Sequence, residues 1–145
     1  DIKRDRDLLK TIPGISDKTA QRLLAEMPPI SQCRSAQSAA AYAGLSPKEH
    51  RSGTSVHRPT RISKAGNKHL RRALYLPAIC AIRCNERVRA LAERMRAASK
   101  PKMVIVAAAM RKLVMIAYGV LRSGHSFSTE IIQPNRRSLD TGLTT

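Results

Sequence analysis

Apolar positions recur at helical spacing along most of the chain, in stretches separated by proline, glycine and capping residues. Residues 2–10 set Ile2, Leu8 and Leu9 among charges, the pattern of the end of an amphipathic helix. Pro13-Gly14 breaks it. A second helix is predicted from about Asp17 to Met27, with Ala20, Leu23 and Leu24 on one face, and Pro28-Pro29 stops it. Ser35 is a candidate N-cap for a short helix over 36–43 that Gly44 closes. Asn67 can cap a helix over about 68–84, which Pro77 should kink. Another spans about 86–98, with Val88, Leu91, Ala92 and Met95 at helical spacing. Pro101 stands where a first helical turn tolerates it, and 103–122 is then mostly apolar. Arg111 and Lys112 interrupt that run midway, which favours a buried core helix over a membrane span. The expected core includes Leu23, Leu24, Leu70, Leu74, Leu91, Val104, Leu113 and Ile116.

Residues 46–67 depart from this pattern. Pro47, Gly53, Pro59 and Gly66 stand among Ser, Thr and basic residues, which predicts a long loop with a possible short β-hairpin around Val56 and Ile62. Loops this long inside a compact domain usually carry function. The fold class is therefore all-α. It comprises a small helical domain over 1–127, with a helix-hairpin-helix-like element at about 8–27, the basic loop at 46–67 and a helical core at 68–123. Residues 128–145 read as a disordered polar tail. The chain opens on Asp1 in charged, helix-like sequence without a signal-peptide pattern, and is read as a piece of a longer protein.

Composition sharpens the picture. Hydrophobic residues make up 42 % of the chain, with no Trp and one Phe, so Leu, Ile, Val, Met and Ala must build the core, which favours packed helices. The net charge of +17, from 27 Lys+Arg against 10 Asp+Glu, calls for a polyanionic partner, and nucleic acid fits best. No stretch joins a basic face to exposed aromatics, so a membrane surface is not expected as a partner. Cys33, Cys80 and Cys84 form no CxxC pair, which argues against a disulfide framework and a zinc site. Cys80 and Cys84 are expected to pack in the core.

Two motifs carry chemistry. Ile12-Pro13-Gly14-Ile15-Ser16, followed by Lys18 and Thr19, is similar to a helix-hairpin-helix, with Ser16 in place of the usual second Gly. There Gly14 permits a tight turn and a close backbone approach, and the N-terminus of the next helix offers unpaired N–H groups to a phosphate. The second motif is the basic loop. Between Lys48 and Arg72 stand eight Lys/Arg and one acid, Glu49, with His50, His57 and His69. Hydroxyls beside glycine and arginine make this more than a solvated surface. A serine next to Gly53 is presented without crowding, and arginines can hold a phosphodiester as charge builds on it. Spacing alone leaves Ser46, Ser52, Ser55 and Ser63 all open as nucleophiles. The candidate nucleic-acid contacts are Gly14, Ser16, Lys18 and Thr19 in the hairpin, with Arg51, Arg58, Arg61, Ser63, Lys64, Asn67, Arg71 and Arg72 in and after the loop.

The blocks IPGI, KTA, LLAE, AAYAGLSP, SGTSV, TRISKAGN, LRRALY and MRKLVMIAYGVLRSG, in that order over about residues 8–127, resemble transposases of insertion-sequence family one-ten, relatives of the Piv and MooV DNA invertases. The resemblance implies a C-terminal domain that works beside an N-terminal RuvC-like domain carrying acidic metal ligands. It implies that Ser52, the Ser of the Ser-Gly pair, attacks DNA and forms a 5′-phosphoserine link. It also implies Mg²⁺ in the other domain and a structured bridge RNA that pairs with donor and target DNA. This piece shows no acidic cluster able to hold catalytic Mg²⁺, so no cofactor or metal is expected in it. A homo-oligomeric complex in the bacterial cytoplasm, associated with the nucleoid, is expected. Val56-His57-Arg58-Pro59 departs from the more usual basic-Gly-basic run. His50 and His57 are read as surface or phosphate-contacting residues rather than a general base. The rival readings are a non-catalytic helix-hairpin-helix nucleic-acid-binding module, and an assembly domain whose apolar helices pair between protomers.

Overall fold

The helices begin and end at residues whose side chains or backbone can close them. The computed structural model describes residues 1–48, 61–62 and 66–128. In chain order these form α1 (Ile2–Lys10), α2 (Asp17–Glu26), one 3-10 turn (Ile30–Gln32), α3 (Ala36–Tyr42), β1 (Pro47–Lys48), β2 (Arg61–Ile62), α4 (Lys68–Cys84), α5 (Glu86–Ala97) and α6 (Lys102–Ser123). Ser16, Ser35, Asn67 and Asn85 each accept a first-turn N–H at the start of α2, α3, α4 and α5. α3 closes in a Schellman turn: Leu45 N donates to Ala40 O at 2.9 Å and Gly44 N to Ala41 O at 3.0 Å, with Gly44 at φ 72°. Gly124, at φ 71°, ends α6 in the same left-handed conformation.

α6 is the central element. It packs against α4, α3, α5 and α1, while α2 packs on α1 and α4. By length and composition α6 could cross a membrane, yet Val106, Ala109, Leu113, Ala117 and Val120 are all buried in the domain's own core. Leu9, Ile12, Leu23, Leu70, Leu74, Val88 and Val114 complete that core, each essentially without exposure. Burying a side chain of this kind contributes about 1.5–3 kcal/mol.

The architecture is the expected helical one. The described residues add a two-residue antiparallel pairing, Pro47 with Ile62 and Lys48 with Arg61, at the ends of the long loop. Val56, also expected in a hairpin, lies outside the described residues, as do 129–145. α4 runs through the buried Pro77 as one helix. Leu23, Leu70, Leu74, Leu113 and Ile116 are buried as expected, whereas Leu24 and Leu91 are half-buried. Val104 corrects the expected core, being 44 % exposed. It lies on the same strip of α6 as Arg111, and every position from 103 to 110 is apolar, so hydropathy alone could not set the helix's phase. Cys80 and Cys84 are likewise exposed, with their sulfurs 3.9 Å apart. Their strip, with Leu76, points away from the Pro77, Ala78 and Ala81 side that is buried.

Candidate nucleic-acid interface

The Pro13-Gly14 turn forms as the motif suggests, but its tightest approach is to the protein itself. Ile12 and Ile15 are buried on either side of it. Gly14 sits at φ 104°, and a Cβ there would lie 2.9 Å from the Ala81 Cβ and 3.1 Å from the Pro77 carbonyl oxygen of α4. The wholly buried Asn85 donates through Nδ2 to Pro13 O at 3.2 Å while its Oδ1 caps α5. The turn is thus fixed to the α4–α5 corner. At the start of α2, Ser16 Oγ accepts from Thr19 N at 3.3 Å, so part of the helix end is already satisfied. Asp17 in the same turn pairs with Arg6 at 3.5 Å and Lys10 at 3.6 Å. Helix-end N–H groups are therefore partly committed within the protein, and the candidate anion contacts beside them are side chains.

Those side chains line a groove between α2 and α4. One section, about 270 Å³, is bounded by Lys18, Thr19, Arg22, Arg72, Ala73, Leu76 and Pro77. The next section, about 220 Å³, shares Arg22, Arg72 and Ala73 and adds Glu26 and His69. The groove joins the two sequence motifs: Lys18 and Thr19 come from the hairpin, Arg72 from the stretch after the loop. Arg22 and His69 were not among the expected contacts. The signal was spacing, since Lys18 and Arg22 are four apart on α2, and His69 and Arg72 three apart on α4. It becomes readable only once α2 is known to pack on α4.

The groove ends at the feet of the long loop, which are clamped together. Asn67 N donates to Tyr42 O at 2.7 Å. Its Oδ1 accepts from His69 N and Leu70 N, and its Nδ2 reaches Glu26 Oε2 at 3.1 Å. Arg71 Nη1 donates to Ala43 O at 3.4 Å. Gly66 lies so near Gly44 that a Cβ would come within 2.5 Å of Gly44 N and 2.6 Å of Tyr42 O. Of the expected contacts, Asn67 and Arg71 thus hold the loop's base, while Lys18, Thr19 and Arg72 face the groove. Arg61 pairs through its backbone in β2. Ser52, Arg51, Arg58, Ser63 and Lys64, with His50, Ser55 and His57, lie outside the described residues. Among the described residues no three His, Cys, Asp or Glu side chains come together as a metal site.

Residues 6–93, which include the hairpin, the groove and the whole loop, match the family described as Transposase IS116/IS110/IS902. The chain belongs to that family. It is 39 % identical over 132 residues to the pilin gene-inverting protein of Moraxella bovis, covering 90 % of this chain and 41 % of that protein. It is 41 % identical over 125 residues to the pilin gene-inverting protein of Moraxella lacunata, covering 86 % and 39 %. An insertion element IS110 protein of Streptomyces coelicolor is 28 % identical over 124 residues, covering 86 % and 30 %. This IS110-family chain therefore spans about two fifths of the length of the pilin inverters.

Proposed function

We propose that this chain is the DNA-handling and nucleophile-bearing part of a site-specific DNA recombinase. The observation that carries the reading is the continuity of the basic α2–α4 groove with the clamped base of the loop that holds Ser52. A DNA backbone held by Lys18, Arg22, His69 and Arg72 would be led to the loop. The Ser52 Oγ then bonds to phosphorus and the bond from phosphorus to the 3′-oxygen breaks. The net proton passes from the serine to the departing oxygen, leaving a 3′-hydroxyl and a 5′-phosphoserine link. Because a phosphodiester is exchanged for a phosphodiester, the bond energy is kept for rejoining to a new end. Names of relatives, pilin gene-inverting proteins, agree with strand exchange of this kind. Magnesium held by a second domain, a structured guide RNA, a homo-oligomeric complex and action in the bacterial cytoplasm belong to the same reading.

The grip is tested by affinity for duplex DNA across a salt series. It should fall steeply as salt rises, because phosphate contacts release counterions. Arg72→Glu should weaken unrelated sequences about equally and lower the salt slope by roughly one. A flat response overturns the phosphate-centred reading. Division of labour is tested by offering the same duplex, with magnesium, to the 145-residue chain alone. It should bind and leave the strands intact, whereas cutting by this chain alone would place the whole catalytic set within it.

A further inference from the structure

A second basic cavity lies away from the α2–α4 groove and shares no residue with it. It is about 370 Å³, within the roughly 300–1,000 Å³ range of ligand clefts, and opens between α5, α6 and the segment after α6. Met115, Ile116, Val120 and Phe127 give it an apolar floor, while Arg87 and Lys112 stand at its side. Phe127 is tied down by its N–H, which donates to Thr11 Oγ1 at 2.9 Å. The Arg87 guanidinium lies over the Phe127 ring, 5.9 Å from its centre. Among the described residues that line it there is no Asp or Glu. Burial, then the nearby guanidinium groups of Arg87 and Arg94, hold the Lys112 ammonium below its ordinary value. The cluster is therefore one of like charges, which an arriving anion would relieve.

Gly119 is the second observation. It is exposed on α6, lines this cavity, and a Cβ there would meet nothing within 4 Å. Glycine inside a helix costs stability relative to alanine, and here no packing demands it. Its effect is to leave the wall of the cavity open where any side chain would project. An anion-binding edge beside a flat apolar floor with an aromatic ring suits a phosphate attached to a planar base.

We propose that this cavity holds one unpaired nucleotide of a DNA or RNA strand, its base against Met115 and Phe127 and its phosphate at Arg87 and Lys112. A base inside a duplex is stacked and paired and cannot enter, so the site selects single strands. The proposal rests on the nucleic-acid reading of the chain, and duplex affinity tests that reading separately. The experiment measures binding of the whole chain to an eight-nucleotide DNA strand, the RNA strand of the same sequence, and a longer duplex. Gly119→Leu should fill the cavity and improve the helix, lowering single-strand affinity about tenfold with duplex affinity unchanged. Gly119→Ala should bind single strands more strongly than the leucine variant does. Whichever of the DNA and RNA strands binds more tightly to wild type identifies the source of the nucleotide. If Gly119→Leu does not fold, Lys112→Gln provides the same comparison. Wild-type single-strand affinity in a folded Gly119→Leu protein, or an equal loss for strand and duplex, overturns the proposal.

Discussion

Ser52→Ala in the full-length protein is expected to abolish recombination between paired sites while DNA binding stays nearly unchanged. On the proposed reading, binding rests on charge: 27 Lys+Arg stand against 10 Asp+Glu, and the groove presents Lys18, Arg22, His69 and Arg72. One neutral hydroxyl contributes little to such a grip. On the same reading the chemistry is the reverse case, because no other atom of residue 52 could take the place of the proposed attacking oxygen. Loss of a nucleophile typically lowers turnover by about a thousandfold or more. Ser55→Ala and Ser63→Ala should cost less. The pattern separates a recombinase from a module that only grips, since a gripping loop is indifferent to this hydroxyl. Counting recombined product for the three variants, with affinity measured in parallel, checks it. Normal product from Ser52→Ala contradicts the assignment.

Gly66→Ala is expected to be more damaging than the same change at Gly14, Gly119 or Gly124. The added Cβ would lie 2.5 Å from Gly44 N, 2.6 Å from Tyr42 O and 2.8 Å from Gly44 Cα. All three are backbone atoms, so none can swing aside as a side-chain tip would. Gly44 is itself held in the Schellman turn of α3, and the neighbouring Asn67 N–H donates to Tyr42 O. Relief must therefore come from parting the loop's second foot from α3, which also disturbs the cap of α4. Overpacking of this severity costs about 3 kcal/mol, or roughly 10 °C in melting temperature for a domain of this size. Thermal unfolding of the isolated chain measures it. Recombination by the full-length variant should fall even below its melting point, because the base that aims the loop has moved. Wild-type melting and wild-type recombination together would show that the clamp does not matter.

The helices were legible because their ends are written in small residues. Ser35, Asn67, Pro101 and Gly44 mark starts and stops that the structure places within a residue or two of expectation. Phase was legible where polar residues alternate with apolar ones, as on α2, and illegible at the start of α6, where Val104 turned outward. The 3-10 turn at Ile30–Gln32 carries no period long enough to read. Function was legible as motif but not as placement. Gly14 could be recognised as a close-approach glycine, yet the surface it approaches, Ala81 and Pro77, is far away in sequence. Asn67 and Arg71 stand in a basic stretch but spend hydrogen bonds on α3 and on Glu26, and only tertiary contacts reveal that. Arg22 and His69 were hidden for the same reason, since a groove belongs to a pair of helices.

The central claim is that Ser52 becomes covalently joined to DNA. The most direct measurement stops the full-length protein during reaction with its DNA, digests both polymers, and searches the peptides for one carrying a nucleotide phosphate. Trypsin should release the stretch from Ser52 to Arg61, because Pro59 protects the bond after Arg58, so the peptide holds both Ser52 and Ser55. Fragmentation then assigns the modified residue. The account predicts the added mass on Ser52 in wild type and its disappearance in Ser52→Ala. An adduct that persists in Ser52→Ala, or that maps to Ser55, would contradict it.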